Sequence, residues 1–320
     1  MRITSLLLAL LALSACDDTF DPPSLLARPR VLGFVVSVQD DPGRTDPLRG
    51  ETIDVRVPWA FPGQPLPRSF RGSLCVLLDT GFGIPECDPA FPSVEVASEA
   101  AVGEDLTFSL AVPADLPDGG ELLLFGGSCA GGGTAPIPAS ASELGERIGQ
   151  VCERPEDTGE LLQTTIAVVN EPSEANRQPA PLEQATLGGQ PLLPTGDGLA
   201  GDPCADRAEL PRLRVGDPAA DLVVVSPPEA FDIVPESDDE QAAAEVLQVA
   251  LLLTSGESQA NFLFVEANDL REDTELTPAE IPERDPGPEG SLERVVFAIR
   301  DRRGGLVVQD MSYCLLPASR

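Results

Sequence analysis

The chain has no histidine, and all 21 of its basic residues are arginine because lysine is absent as well. These absences exclude a Ser-His-Asp triad, a lysine Schiff base, a P-loop lysine and a histidine-ligated zinc ion. One Trp and one Tyr in 320 residues leave little aromatic surface for stacking on sugars or bases. The 53 Asp and Glu residues give a formal charge of −32, which repels nucleic acid. We therefore expect no nucleic-acid partner.

The N-terminus carries the most specific signal. Leu6–Leu13 is an apolar run behind Arg2, too short for the ~20 residues of a membrane-spanning helix and typical of a secretory signal peptide. Leu13-Ser14-Ala15-Cys16 then resembles the lipobox of bacterial lipoproteins. The resemblance implies a signal peptide at residues 1–15 and a lipidated Cys16, with acyl chains such as palmitate as the membrane anchor. The alternative is an ordinary signal peptide with a cysteine near its cleavage site.

Lipidation at Cys16 would place the protein in the bacterial cell envelope. We expect a chain that is tethered by lipid, either at the outer membrane or at the periplasmic face of the inner membrane. Asp17 and Asp18 resemble an inner-membrane retention signal of enteric bacteria, but that rule varies between lineages. The sequence leaves the choice of membrane open.

The remaining six cysteines are an even set in a chain with an export signal, which favours disulfides over a metal site. Six cysteines allow fifteen pairings. Proximity along the chain favours Cys75–Cys87 and Cys129–Cys152, and this leaves Cys204–Cys314.

The chain divides into a proline-rich tether at residues 16–29 and two domains at residues 30–170 and 171–320. Short β-type runs alternate with Gly, Pro and Asp clusters, a pattern typical of β-sandwiches. We predict an all-β protein with two Ig-like β-sandwich domains in series. In the first domain, a short amphipathic helix is predicted at Ala139–Val151, and the predicted strands are Val31–Val38, Thr52–Trp59, Ser73–Leu78, Ser93–Ala97, Asp105–Val112, Glu121–Gly126 and Gln163–Val169.

The second domain alternates predicted strands with acidic loops. Val246–Leu253 also suits a helix, but its length favours a strand. Arg300–Gly305 predicts a hairpin turn with glycine at the positive-φ positions. The acidic loops are Pro194–Glu209, Glu236–Glu240 and Asn268–Gly290, and the other predicted strands are Ala185–Leu187, Leu213–Val215, Leu222–Val225, Phe262–Val265, Val295–Arg300 and Leu306–Met311.

Three segments resemble uncharacterised lipoproteins of high-GC myxobacteria. Val295–Leu306, followed by Tyr313-Cys314-Leu315, is similar to their closing hairpin. Asn176-Arg177-Gln178-Pro179, followed by Leu187-Gly188-Gly189, is similar to the start of their second Ig-like domain, and Pro29–Leu32 to the start of the first. The resemblance implies two Ig-like domains and a lineage, and it implies no activity.

Three aspartates form the candidate metal site. Asp197, Asp202 and Asp206 lie in one Gly-rich loop, and calcium prefers oxygen ligands. The loop lacks the ligand spacing of an EF-hand, so the alternative is a solvated acidic loop held by Cys204. With so many acids in the chain, pairs such as Asp239-Glu240 and Glu272-Asp273 arise by chance, and we predict no catalytic residues.

The sequence thus favours a non-enzymatic envelope lipoprotein that acts in binding or assembly, with the acidic loops of the second domain as its interaction surface. A carboxylate- or metal-dependent hydrolase and a ligand-free spacer are the alternatives. Trp59 and Tyr313 are predicted to lie in the core, with Trp59 near the Cys75 disulfide. Arg302 and Arg303 in the hairpin could meet an acidic ligand, or be solvated.

Overall fold

The computed structural model describes residues 24–78, 85–117, 119–136, 150–204, 206–231, 245–279, 285–301 and 303–319. Cys16 and nearly all of the helix predicted at Ala139–Val151 lie outside these residues. Within them the regular structure is β-strand, together with 3-10 turns at Pro172–Glu174 and Pro228–Ala230 and no α-helix. No helix in this part of the chain is long and apolar enough to cross a membrane.

The described residues of the first domain form ten strands. In chain order they are β1 Arg30–Val31, β2 Val35–Val38, β3 Thr52–Arg56, β4 Trp59–Ala60, β5 Arg68–Leu78, β6 Glu86–Cys87, β7 Val94–Ala100, β8 Thr107–Ala111, β9 Glu121–Ala130 and β10 Thr158–Ala167. One sheet has the order β2-β3-β8. The other has β10-β9-β5, with β7 and β6 both paired to β5, while β1 and β4 form a separate pair.

In the second domain, eleven strands lie within the part of the chain that the structure describes. They are β11 Gln184–Leu187, β12 Gln190–Pro191, β13 Leu193–Pro194, β14 Arg212–Arg214, β15 Ala220–Val225, β16 Val246–Leu253, β17 Glu257–Ser258, β18 Phe262–Glu266, β19 Arg271–Thr277, β20 Ser291–Arg300 and β21 Leu306–Leu316. One sheet has the order β12-β11-β15-β19-β17. The other has β13-β21-β20-β16-β18, and β14 pairs with β21 in parallel.

Both domains repeat one strand arrangement. If the long strands are lettered A to G along each domain, the two sheets are A-B-E and G-F-C-C′, as in immunoglobulin-like sandwiches. One apolar core, from Phe34 to Val168, fills the first sandwich, and a second, from Leu182 to Leu315, fills the other. The predicted fold class is confirmed: the protein is all-β, with two Ig-like β-sandwiches.

Strand β16 shows why the sandwich pattern is readable in the sequence. Leu247, Val249 and Leu251 alternate into the core at 0–1% exposure, while Gln248 and Ala250 face outward. The strand, rather than the helix, is therefore confirmed at Val246–Leu253. The predicted hairpin is confirmed too, since Arg300 pairs with Leu306 and Gly304 has a φ of +101°.

The predicted acidic loop Asn268–Gly290 is wrong in part. It contains strand β19, which pairs with β15 and β17. Buried and exposed side chains do alternate along β19, but only Thr274 and Leu276 are buried and most of the exposed positions are charged. The alternation of apolar residues that would predict a strand is therefore weak. Two predicted single strands are also interrupted: Val31–Val38 and Thr52–Trp59 are each split into two shorter strands.

All three predicted disulfides are present. Cys75–Cys87, Cys129–Cys152 and Cys204–Cys314 have Cα–Cα distances of 5.5, 5.4 and 6.0 Å. The first two lie within the first domain, and the third joins the acidic loop to the last strand. Cys204 and Cys314 pack with Leu210 and Leu292 in a small cluster of their own.

Removing the third disulfide should cost the most stability. Its sequence separation is 110 residues, against 12 for Cys75–Cys87. On the loop-entropy model these closures contribute about 4.7 and about 3 kcal/mol. We expect Cys204→Ser/Cys314→Ser to lower the unfolding free energy more than Cys75→Ser/Cys87→Ser in urea denaturation. Equal losses would contradict the loop-length explanation.

A polar junction joins the two domains around Asn176, which is 0% exposed. Its backbone N–H donates to Asp46 Oδ2 at 3.0 Å, and its Nδ2 donates to Asp301 Oδ2 at 2.9 Å. Its carbonyl oxygen accepts from the backbone N–H of Thr45 at 2.9 Å. One residue of the linker thus contacts a loop of the first domain and the closing hairpin of the second.

Gln178 repeats this bridging two residues later. Its Nε2 donates to the carbonyl oxygen of Val36 at 2.5 Å, and its Oε1 accepts from the backbone N–H of Leu306 at 3.0 Å. Its own backbone N–H donates to the Gly43 carbonyl oxygen at 2.8 Å. The linker is therefore held on both sides by hydrogen bonds.

An apolar cluster continues the interface. Leu26, Leu32 and Ala60 pack against Leu252 and Val296 on the outer face of the β16–β20 sheet. Next to this cluster, the chain from Ser24 to Leu26 lies beside the end of β16: Leu26 N–H donates to the Leu253 carbonyl oxygen, and Leu253 N–H to that of Ser24, both at 2.7 Å. The described end of the predicted tether is thus hydrogen-bonded to the second domain.

Two substitutions at Asn176 should distinguish the contribution of its hydrogen bond to stability from the effect of the neighbouring carboxylates. Asn176→Ala removes the bond to Asp301, and we expect a loss of about 1–3 kcal/mol. Asn176→Asp should lose more at pH 7, because it places a buried carboxylate against Asp301 and Asp46. Burial and the neighbouring charges would raise the pKa of the introduced carboxyl, so the excess loss should shrink as the pH falls and the group is protonated in the folded state.

Urea unfolding at pH 7 and pH 5 measures both effects. The Asn176→Ala variant is the control, since its loss should depend far less on pH. Equal losses for the two variants at both pH values would mean that Asp301 and Asp46 do not face this side chain.

Candidate functional site

The predicted calcium loop is built around a turn. Asp202 Oδ2 accepts from the backbone N–H of Leu199 at 2.8 Å, and the Asp202 carbonyl oxygen accepts from Leu292 N–H at 2.7 Å. Among the described residues, no three His, Cys, Asp or Glu side chains form a group that could hold a metal ion. The structure therefore does not assemble Asp197, Asp202 and Asp206 into a ligand set, and at least one of their carboxylates serves the loop itself.

Calcium titration tests this loop directly. If the site is real, calcium should raise the melting temperature of the natural chain, and Asp197→Asn/Asp202→Asn/Asp206→Asn should abolish that rise. Asp217→Asn is a matched control, because Asp217 makes the same contact three residues back, to Arg214 N–H at 2.9 Å, outside the loop. A natural chain whose melting is indifferent to calcium would contradict the prediction.

The other predicted acidic segments differ in what the structure shows of them. Glu236–Glu240 lies outside the described residues. In strand β19, burial raises the pKa of Glu272, and the neighbouring carboxylates of Asp269, Asp273 and Glu266 raise it further. These groups form an acidic surface at the edge of the second sandwich.

The buried carboxylates mostly have structural partners. Glu293 accepts from the hydroxyls of Ser291 and Thr254, each at 2.7 Å. Asp46 accepts from Asn176 and lies 3.6 Å from Arg303. Burial is the main cause that raises the pKa of Asp46, and the backbone N–H of Asn176 and the charge of Arg303 oppose it. Arg303 thus faces an acid of its own chain, while Arg302 lies outside the described residues.

Trp59 and Tyr313 are core residues, as predicted. Trp59 is 8% exposed, and its indole N–H donates to Ser128 Oγ at 3.2 Å. Tyr313 is fully buried, and its hydroxyl donates to the Ser255 carbonyl oxygen at 2.9 Å. The Cys75–Cys87 disulfide belongs to a separate cluster with Leu123 and Phe125, so the predicted packing of Trp59 near it is wrong.

A cleft between the two sandwiches was not predicted. It has a volume of about 410 Å³, and we call it the interdomain cleft. The end of the tether, strands β1 and β10 of the first domain and the β16–β20 sheet of the second domain all contribute to it. Its lining residues are Arg28, Arg30, Val31, Leu32, Glu160, Ala250, Leu252, Ala298 and Arg300.

The cleft concentrates positive charge in an acidic protein. Three of its four charged residues are arginines. Arg300 donates from Nη2 to the Leu32 carbonyl oxygen across the interface, and burial lowers its pKa. Glu160 is the one acid, and burial raises its pKa while Arg28 and Arg30 act in the opposite direction. The cleft thus combines three guanidinium groups, of which that of Arg300 is partly desolvated, with an apolar floor of Ala250, Leu252 and Ala298.

Sequence reasoning could not find the cleft because its charged residues are far apart along the chain. Glu160 and Arg300 come from the last strand of one domain and the closing hairpin of the other. Only the interface brings them together.

No protein-family model and no curated protein matches the chain. Among solved structures, the crystal structure of red sea bream transglutaminase is similar at 8% sequence identity with a TM-score of 0.25. That alignment covers 92% of this chain and 32% of the transglutaminase chain. This chain therefore spans about a third of that protein, and a likeness at this TM-score supports no inference about activity.

Proposed function

We propose that the protein is a non-enzymatic lipoprotein of the bacterial cell envelope that acts in binding or assembly, anchored through Cys16. The observation that carries the binding role is the interdomain cleft, a concave site formed jointly by both sandwiches. Ligand sites concentrate at domain interfaces, and arginine suits the bidentate recognition of carboxylate and phosphate groups.

Two further observations support the envelope location. Three disulfides suit an oxidising compartment outside the cytoplasm. Seven residues lie between Cys16 and Ser24, the first described residue, and the eight Cα-to-Cα steps can span at most about 29 Å. A lipid at Cys16 would therefore hold the cleft, whose Arg28 and Arg30 follow closely, near the membrane surface.

The acidic face of the second domain is a second surface for a partner. Its exposed carboxylates lie on β19, in a protein whose net charge is strongly negative. Such a face attracts a basic partner or divalent cations. This attraction should weaken with salt, because the Debye length is ~8 Å at physiological ionic strength.

The anchoring part of the proposal predicts the behaviour of Cys16→Ser. We expect this variant to leave the membrane fraction, or to accumulate as the unprocessed precursor, whereas the natural chain stays membrane-bound with a lipidated mature N-terminus. Fractionation and mass spectrometry measure both. A mature chain that is unmodified at Cys16 and still membrane-bound would contradict the lipid anchor.

Recovery of partners from the native envelope tests the binding role. We expect the tagged full chain to retain a stoichiometric partner or ligand. Two variant baits, Arg28→Gln/Arg30→Gln and Asp273→Asn/Glu275→Gln, distinguish a partner that binds at the cleft from one that binds at the acidic face. Failure to recover anything from inner or outer membranes would favour a spacer, and carboxylate-dependent hydrolysis of an envelope substrate would favour the hydrolase.

A further inference from the structure

The outer face of the β16–β20 sheet extends the interdomain cleft toward an exposed aromatic pair. Residues directly opposite each other in antiparallel strands point to the same face. Ala250 is opposite both Ala298 and Phe262, and Gln248 is opposite both Arg300 and Phe264. The floor of the cleft, Arg300 and both phenylalanines therefore share one face of one sheet.

The two phenylalanines are unusually exposed. Phe262 is 48% and Phe264 is 55% accessible, and among the described residues they are the exposed aromatic side chains. With strands about 4.8 Å apart, the backbone position of Phe264 lies roughly 10 Å from that of Arg300, across Gln248. The cationic end and the apolar end of this sheet face are thus separated by about the length of a small amphiphilic molecule.

The cationic end is suited to an oxyanion. Guanidinium groups bind carboxylate or phosphate in a planar, bidentate manner. Arg28, Arg30 and Arg300 come from two domains, and the one acid among them, Glu160, lies opposite Arg28 and Arg30. An entering anion would join Glu160 as a counter-charge to the three guanidinium groups.

We propose that the interdomain cleft binds an amphiphilic organic anion, with a carboxylate or phosphate group at Arg28, Arg30 and Arg300 and an apolar body on Ala250, Ala298 and the Phe262–Phe264 rim. The inference rests on the proposed binding function and names the chemical class of the ligand. Glu160 acts as an internal competitor for the arginines, so its charge sets the affinity.

Calorimetric titration of the full chain with defined probes tests the inference. The probes are 2-naphthoate and 2-naphthyl phosphate, which distinguish a carboxylate from a phosphate head, 2-naphthalenemethanol, which lacks charge, and inorganic phosphate, which lacks an apolar body. We expect at least one naphthyl anion to bind about tenfold or more tightly than the alcohol and than inorganic phosphate. Equal binding of the alcohol, or equal binding of inorganic phosphate, would overturn the proposal.

Variants make the test specific to the cleft. Arg28→Gln/Arg30→Gln should weaken naphthyl-anion binding about tenfold, and Phe262→Ser/Phe264→Ser several-fold. Glu160→Gln should tighten it several-fold, an effect that a damaged fold would not produce. Arg271→Gln, an exposed arginine on β19 outside the cleft, is the matched control and should change nothing.

The outcome is independent of the pulldown. If Glu160→Gln fails to tighten binding and Arg28→Gln/Arg30→Gln fails to weaken it, the cleft is not the anion site, even where an envelope partner is recovered. If the anion binds as expected while no partner is recovered, the ligand class stands and the assembly role fails.

Discussion

Asn176 is buried where three segments of the chain meet, and the arrangement of the two domains depends on that contact. Its backbone and side chain together satisfy Asp46 of the first domain and Asp301 of the closing hairpin, while its carbonyl accepts from Thr45. Two β-sandwiches joined by a linker would by default move relative to each other. Here a desolvated polar network, whose unpaired members would each be costly, defines one arrangement. The interdomain cleft exists only in that arrangement.

Three short segments meet at this interface. Asn176–Pro179 is the linker itself, the hairpin after Arg300 supplies Asp301 and Leu306, and Arg30–Leu32 lines the cleft. Sandwich cores accept many apolar combinations, because volume and alternation suffice to fill them. A buried polar junction accepts few, since each donor needs its acceptor. These short segments are therefore constrained by hydrogen bonds between the domains.

The sequence predicted what local chemistry determines. Alternation located most strands, Gly304 located the closing turn, and proximity paired the cysteines correctly. It missed β19 because pairing with β15 imposes a strand on residues that are mostly charged, and only Thr274 and Leu276 mark the inner face. The interdomain cleft could not be predicted from the sequence. Arg30, Glu160 and Arg300 are each separated by more than a hundred residues, so no local pattern joins them.

The arginines at the domain interface connect the polar junction around Asn176 with the interdomain cleft. Most carboxylates are exposed and cost little, but a guanidinium at an interface loses water and needs acceptors in return. Arg294 meets this need with Asp310 and with the carbonyl oxygen of Phe61 across the interface, and Arg300 donates to Leu32. Arginine suits such places because its fork keeps several donors in a fixed plane and its charge persists at any physiological pH. At the cleft, arginine side chains line a cavity and also contact the protein. The interactions that position the two domains therefore also direct cationic groups toward a space large enough for a small molecule.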